Sequence, residues 1–579
     1  MYDEIYSLNF FNSFLISSLF LIINIIFAFN VSLKAKNYKI LNLGNYQPII
    51  FFFLIFCLYS SIFNISLLVG SVIVKYVFFL LLLFKFFFIL KNYKYLFYKF
   101  NLKFFSERKI IFAFFILFYL ISILPMSDAD SIVVFQNIPA TILNQGFNGL
   151  NIARDIEFTV LSNTETLLLL SSILKSDNFG SQLNLVSLIF LACVTFKENK
   201  NFPLIIFSSP LIIYFLSAQK LQLFFGLLYL LIFILIHKKI IKKKFELFII
   251  VLLLTFYSSG KITYILFSIP LFVYLLKNNI KFFKNIIFYL IVSVLIIYGP
   301  ILSIKQIYFG NILAPFFDNL FGNNSEIYNA FALSLRSTEG WLSDPSNIYL
   351  YLRPFVSFEI SKISSSLGII FLFMLVDYKL QKQLLYIPLL LVVLILSTGQ
   401  ILPRYYFEAF LLLSFFYNYK TTLIKLIIYF QLIAVISMTS VFAYISYFKF
   451  NVLLNKTNYQ NEFAYSFYNA QQIKKYSLKG NILDFSLDRD SIYLSDNIYS
   501  LRYINVLNKY NQNKTENLTN FIKENSIKYL VVYDKQQIPG CIETEEINET
   551  RRKKSVRNFL VETQKNNYKI VEIKDNKCN

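Results

Sequence analysis

Apolar runs long enough to cross a bilayer follow one another through the first 450 residues, and this succession restricts the fold more than any motif. In a hydrocarbon layer about 30 Å thick, a segment must satisfy its own backbone polar groups, so runs of roughly 20 apolar residues fold as helices. The first runs lie near residues 11–30, 47–69, 71–90 and 110–125. Others follow near 181–196, 202–217, 220–236, 246–258, 261–277, 286–303, 363–378, 385–399, 404–418 and 422–448. The expected fold class is an all-α polytopic membrane protein with about fourteen transmembrane helices. Composition agrees, with 56% hydrophobic and 15% charged residues and a mean hydropathy of +0.57. The 67 Phe and 41 Tyr, with abundant Ile, Lys and Asn, match an AT-rich genome, so single aromatic or Lys residues carry little information.

A net charge of +22 would suggest nucleic acid for a soluble protein, but here the basic residues gather in short loops between apolar runs. That pattern is the positive-inside signature, and no nucleic-acid partner is expected. Lys34, Lys36 and Lys39 follow the first run; Lys91, Lys94, Lys99, Lys103, Arg108 and Lys109 follow the third. KENK at 197–200, HKKIIKKK at 237–244 and KNNIKFFK at 277–284 complete the cytoplasmic set, with His237 read as a surface residue. The acidic N-terminus and the loop SDADS at 127–131 then fall on the opposite side. This parity holds if NTETLLLLSSILK, residues 163–175, does not cross, so it is read as a helix at the outer interface. The start MYDEIYS lacks the basic segment of a cleavable signal peptide.

From about residue 450 the apolar runs shrink to strand length, which predicts a small extracytoplasmic α/β domain over 451–579. IKYLVVYD (527–534) and YKIVEIKD (568–575) read as strands, and NETRRKKSVRNFLVETQKN between them as a helix, giving a βαβ unit. Cys541 follows the first strand and Cys578 the second. A right-handed crossover points both strand ends the same way, making the two thiols a disulfide candidate, with two unpaired cysteines as the alternative. Cys57 and Cys193 lie inside apolar runs, and none of the four has metal-ligand spacing.

The outward loops collect the polar chemistry. They are SDADS, SAQKLQ at 217–222, SSGK at 258–261, the 304–317 segment, and TGQILPRYYFE at 398–408. Charge at a helix mouth is costly unless solvated or used, so Asp128 and Asp130 opposite Lys220, Lys261, Lys305 and Arg404 form a candidate site. The ordinary alternatives are lysines anchoring helix ends at the interface and aspartates capping the next helix.

The order SDADS, ETLLLL, KLQ, GNILAPFF, LPRYYFE resembles the GT-C glycosyltransferases that use polyprenyl-phosphate sugars, including the dolichyl-phosphate-mannose protein mannosyltransferases and aminoarabinose transferases. The resemblance covers roughly residues 110–450, with large external loops at 126–180 and 304–362, and makes residues 1–109 an addition of transmembrane helices. Its strongest pieces are the Asp128/Asp130 motif, Gly310–Asn311 to Pro315, and Pro403–Arg404–Tyr405. The chain departs from the pattern where Val134 and Phe135 replace an aromatic–His pair and where Ile312 follows Gly310–Asn311.

The resemblance implies sugar transfer from a polyprenyl phosphate to a hydroxyl of a glycan, lipid or protein acceptor, in a plasma membrane of the bacterial inner-membrane kind. Asp128 would be the general base, and Asp130 would orient the acceptor or join Asp128 around a divalent Mg or Mn ion. Arg404, with Lys220, Lys261 and Lys305, would hold the phosphate. The second acidic partner would be Glu157 or Glu165. Two other readings remain: a flippase or transporter of lipid-linked saccharide, and an O-antigen ligase or polymerase, which would share the outward site. The first predicts midplane polar residues and internal repeats. The second predicts an arginine-rich external loop, whereas 304–362 holds only Arg336 and Arg353.

Overall fold

The computed structural model describes residues 6, 8–92, 109–128, 130–196, 199–337, 351–356, 366–376, 382–398, 402–417, 422–463, 465–485, 497–533, 538–540, 542–553 and 565–576. The apolar runs are helices, as bilayer physics requires: α1 (Phe10–Asn37), α2 (Gln47–Val69), α3 (Ser71–Lys91), α4 (Lys109–Ser122), α5 (Phe179–Thr195), α6 (Gln222–His237), α7 (Lys244–Ser259), α8 (Ile262–Asn278), α9 (Phe283–Phe309), α10 (Glu326–Ser337), α11 (Phe407–Phe416) and α12 (Thr422–Tyr444) are those used below. Among the described residues five helical stretches are long and apolar enough to cross a membrane: Phe10–Asn37, Gly44–Val69, Ser71–Lys91, Ile280–Phe309 and Thr422–Lys449. The other apolar helices, α4, α5, α6 and α8 among them, are shorter.

The first three helices are pinned together by one buried lysine. Lys85 of α3 is 5% exposed, donates to Asn24 Oδ1 of α1 at 2.5 Å and Tyr59 Oη of α2 at 2.8 Å, and lies 3.9 Å from the Tyr59 ring centre. Replacing it by Met keeps the length and strands both oxygens. Lys85→Met is therefore expected to lower stability by about 1 kcal/mol, the scale of interhelical polar contacts in membranes, read as a lower thermal midpoint of the purified protein.

Two segments differ from expectation. Residues 163–175 are not one continuous helix: they form two short helical pieces, Asn163–Leu167 and Leu169–Ile173, with Leu167 to Leu170 fully buried. Ser60 of α2 donates to Asn163 Oδ1 at 3.0 Å, so the segment is packed into the bundle by the polar side chains that its periodicity concealed. The run at 202–217 is broken into Phe202–Phe207 and Leu211–Leu216, because Pro210 carries no N–H. The groups freed at the break are bonded from far away. Ser208 O accepts from Gln431 Nε2 of α12 at 3.2 Å, and Leu211 N donates to Ser366 O at 3.0 Å. Gln431 also accepts from Ile370 N at 3.0 Å, beside Gly368, whose φ of +98° and missing Cβ leave room for the amide.

The tail holds a five-stranded mixed sheet of order β2-β1-β3-β5-β4, built from β1 (Asn481–Asp484), β2 (Ile498–Ser500), β3 (Ile527–Tyr533), β4 (Ile542–Lys553) and β5 (Lys565–Asn576). Helix α13 (Arg502–Asn511) and the helix Lys514–Glu524 connect β2 to β3. β1, β2 and β3 are parallel, but β5 runs antiparallel to β3 and to β4. The expected βαβ unit joining β3 to β5 is thus absent, and Asn548–Lys553, read as helix, is strand. β4 is an edge strand whose residues Glu543 to Glu546 face solvent, so it lacks the apolar alternation that marks a strand in sequence. The Cys541–Cys578 pairing lies outside the described residues.

Candidate functional site

Asp128 follows α4 and stands three residues ahead of a π-helical turn, Ser131–Gln136, whose N-cap residue is Asp130. Asp128 Oδ1 accepts from Ser131 N at 2.8 Å and its backbone carbonyl from Ile132 N at 3.2 Å. The capping reading of the aspartate therefore holds, and it spends only one carboxylate oxygen: Asp128 Oδ2 is buried without a hydrogen-bond partner. Ser131 Oγ in turn accepts from Gln219 N at 2.8 Å, which fixes the loop carrying Lys220 against this turn.

Five side chains from three distant stretches of the sequence meet there. Lys220 Nζ lies 2.6 Å from Asp130 Oδ2 and 3.9 Å from Asp128 Oδ1. Arg404 Nη1 lies 3.1 Å from the same Asp130 oxygen. Tyr214 Oη bridges the two cations, accepting from Arg404 Nη1 at 3.2 Å and from Lys220 Nζ. Arg404 stands on the turn Pro403–Tyr406, anchored where Gln222 Nε2 donates to its carbonyl at 2.5 Å, and its buried Nε–H has no partner. Burial works against the charge of Lys220, but Asp130, Tyr214 and Asp128 outweigh burial and the Arg404 charge, holding its ammonium above the ordinary lysine value.

Next to this cluster Lys261, the residue before α8, reaches Tyr405 Oη at 3.5 Å with its ammonium 4.9 Å from the Tyr405 ring centre. Lys220, Lys261 and Arg404 each stand just ahead of the N-terminus of α6, α8 or α11. Helix dipoles and side-chain cations add here, so this end of the bundle is electropositive. Asp130 is already matched by two cations, and among the described residues no group of three or more His, Cys, Asp or Glu assembles, so the pair does not fit a divalent cation.

The remaining candidates have other partners. Lys305 donates to Ala314 O at 2.6 Å and Thr159 O at 3.1 Å, bracing the GNILAPFF loop from α9. Asn311 of that loop donates to Asp318 Oδ1 at 2.8 Å. Glu165 closes a capping box with Ser162, and burial pushes its carboxyl above the ordinary value, Ser162 and Lys305 opposing. Glu157, on the turn Ile156–Val160, pairs with Arg502 of α13 and so ties the tail to the segment between α4 and α5. Arg502→Met strands a Glu157 side chain only 8% exposed, and is expected to cost about 3 kcal/mol, read as faster proteolytic release of the tail. His237 is half-buried and meets Tyr274 Oη at 2.9 Å, more enclosed than a surface reading implies.

Two residues were not marked by the sequence. Tyr214 is one of 41 tyrosines and nothing local distinguishes it. Glu408 of α11, four positions after Arg404, is 1% exposed, takes a hydrogen bond from Tyr257 Oη at 3.2 Å, and keeps Oε2 unpartnered. An acid inside the apolar run FEAFLLLSFF was the available signal. Comparison of the chain with protein families, curated proteins and solved structures finds no match.

Proposed function

We propose that this chain is an integral-membrane glycosyltransferase that moves a sugar from a polyprenyl-phosphate donor to a hydroxyl acceptor, at the membrane face carrying the Asp128–Asp130 loop. The basic loops support reading that face as the outer one, and the family resemblance supports a bacterial plasma membrane. One observation carries the reading: a buried acceptor, Asp128 Oδ2, and a buried donor, Arg404 Nε–H, are both unspent within one ion-pair cluster. Unsatisfied buried groups are costly in a folded chain and point to a ligand that supplies the partners.

In this mechanism the donor phosphate shares Lys220 and Arg404 with Asp130, and Lys261 adds a third positive charge. Asp128 Oδ2 takes the proton of the acceptor hydroxyl as its oxygen bonds to the anomeric carbon. The carbon–oxygen bond to phosphate breaks with its electron pair left on the phosphate, whose growing charge Arg404 and Lys220 stabilise. The products are a glycoside of inverted configuration and polyprenyl phosphate, and Asp128 then loses its proton to water.

The test is transfer of label from a panel of radiolabelled polyprenyl-phosphate sugars to envelope acceptors by purified protein in detergent. Wild type is expected to transfer, and Arg404→Ala to be slower by about 10²–10³. Absence of transfer from every donor sinks the proposal, and movement of lipid-linked sugar across liposomes instead assigns a flippase.

A further inference from the structure

We propose that a second site, a cleft between the tail and the loop after α9, binds a sugar ring of a neutral glycan acceptor. The cleft has a volume of about 270 Å³, and its walls include Phe309, Asp318, Asn323, Ser325, Tyr328 and Tyr503. Tyr503 comes from α13, the helix that Arg502 ties to Glu157, while the others come from the end of α9 and the segment after it. Both halves of the molecule are therefore needed to form it.

Its chemistry selects the ligand. No Lys or Arg is among the lining residues, so a phosphate finds no counter-charge, and the polar groups on one wall do not suit a lipid tail. The space falls below the roughly 300–1,000 Å³ typical of pockets for larger ligands, which matches one sugar ring. Aromatic residues and uncommitted polar groups are what a polyhydroxyl ring requires. The Asp318 carboxylate is 1% exposed and held by Asn311 Nδ2 at 2.8 Å and Ser325 N at 2.5 Å, so it is fixed in place. Tyr328 spends its hydroxyl on Phe309 O at 3.2 Å. The Asn323 amide and the hydroxyls of Ser325 and Tyr503 make no side-chain hydrogen bond among the described residues and are available to a ligand. Gly322 has no side chain where a Cβ would collide with the Asp318 carboxylate, so the loop closes over that acid only with glycine there.

Naming the ligand an acceptor rests on the glycosyltransferase reading, whereas saccharide binding does not. The experiment is saturation-transfer NMR of the full chain in nanodiscs with methyl glycosides of glucose, galactose, mannose and N-acetylglucosamine. At least one is expected to bind, with affinity about tenfold weaker in Asn323→Ala and Tyr503→Phe, the loss of one ligand hydrogen bond each. Asn323 is exposed and Tyr503→Phe keeps the ring, so both variants test the cleft in a folded chain. Binding of none of the four, or binding indifferent to both substitutions, overturns the inference. Saccharide binding without sugar transfer leaves the cleft standing and removes the glycosyltransferase reading. Transfer with an acceptor KM unaltered in Asn323→Ala removes the cleft and leaves the glycosyltransferase.

Discussion

Asp128→Asn is expected to abolish sugar transfer while leaving the fold intact. The amide oxygen can still accept from Ser131 N, as Oδ1 does at 2.8 Å, so the turn into Ser131–Gln136 remains capped. What disappears is the basic oxygen at the buried Oδ2 position. Loss of a positioned general base costs about 10²–10⁴ in rate. The measurement is kcat with a saturating lipid-linked donor, paired with the thermal midpoint of the same preparation. A rate within threefold of wild type, at about the noise of such a comparison against that 10²-fold minimum, sinks the base assignment. A fall in rate matched by a fall in midpoint would instead show that Asp128 acts only as a cap.

Asp130→Ala should have a large effect on stability, and the effect should respond to anions. Asp130 is the carboxylate that both Lys220 and Arg404 meet, at 2.6 and 3.1 Å, and Lys220 itself is 4% exposed. Removing it leaves two enclosed cations bridged only by the Tyr214 hydroxyl, with Asp128 Oδ1 3.9 Å from one of them. Breaking a buried pair costs about 3–5 kcal/mol, and because Asp130 retains 23% side-chain exposure the lower end, about 3 kcal/mol, is expected. Millimolar phosphate should restore much of the lost thermal midpoint in Asp130→Ala, since an anion bound to the folded state stabilises by mass action. Chloride at equal ionic strength should not. A midpoint that falls and ignores phosphate argues against phosphate as the ligand of these cations.

Much of this arrangement was legible in the chain because it follows from long apolar runs and from charge at their ends. Asp130, Lys220 and Arg404 are far apart in sequence, yet each sits beside a helix terminus, and equal-sided loops must meet when helices bundle. The signals that failed share one cause: they depend on which partner a polar group finds after packing. Lys305 looks like any other basic residue near a helix end, but Ala314 and Thr159 carbonyls absorb it. Glu157 looks like a site acid and is instead the anchor for Arg502. Asn548–Lys553 carries a helix-compatible run of charge, yet backbone pairing with β5 makes it strand. Tyr214 was invisible because tyrosine is so common in this composition.

The Pro210 break also dictates when the middle of the protein can be finished. Ser208 O and Leu211 N are buried polar groups that no neighbour in the 202–216 segment satisfies; their partners are Gln431 and Ser366. A ribosome reaches those residues only after some 150 and 220 further peptide bonds, on the separation between the pairs. Until then the two half-helices carry open backbone groups into a hydrophobic surrounding, at a cost that disfavours their final seat. The order of synthesis and the order of completion are thus reversed here. A nascent chain released before residue 431 would leave Ser208 O without its Gln431 partner.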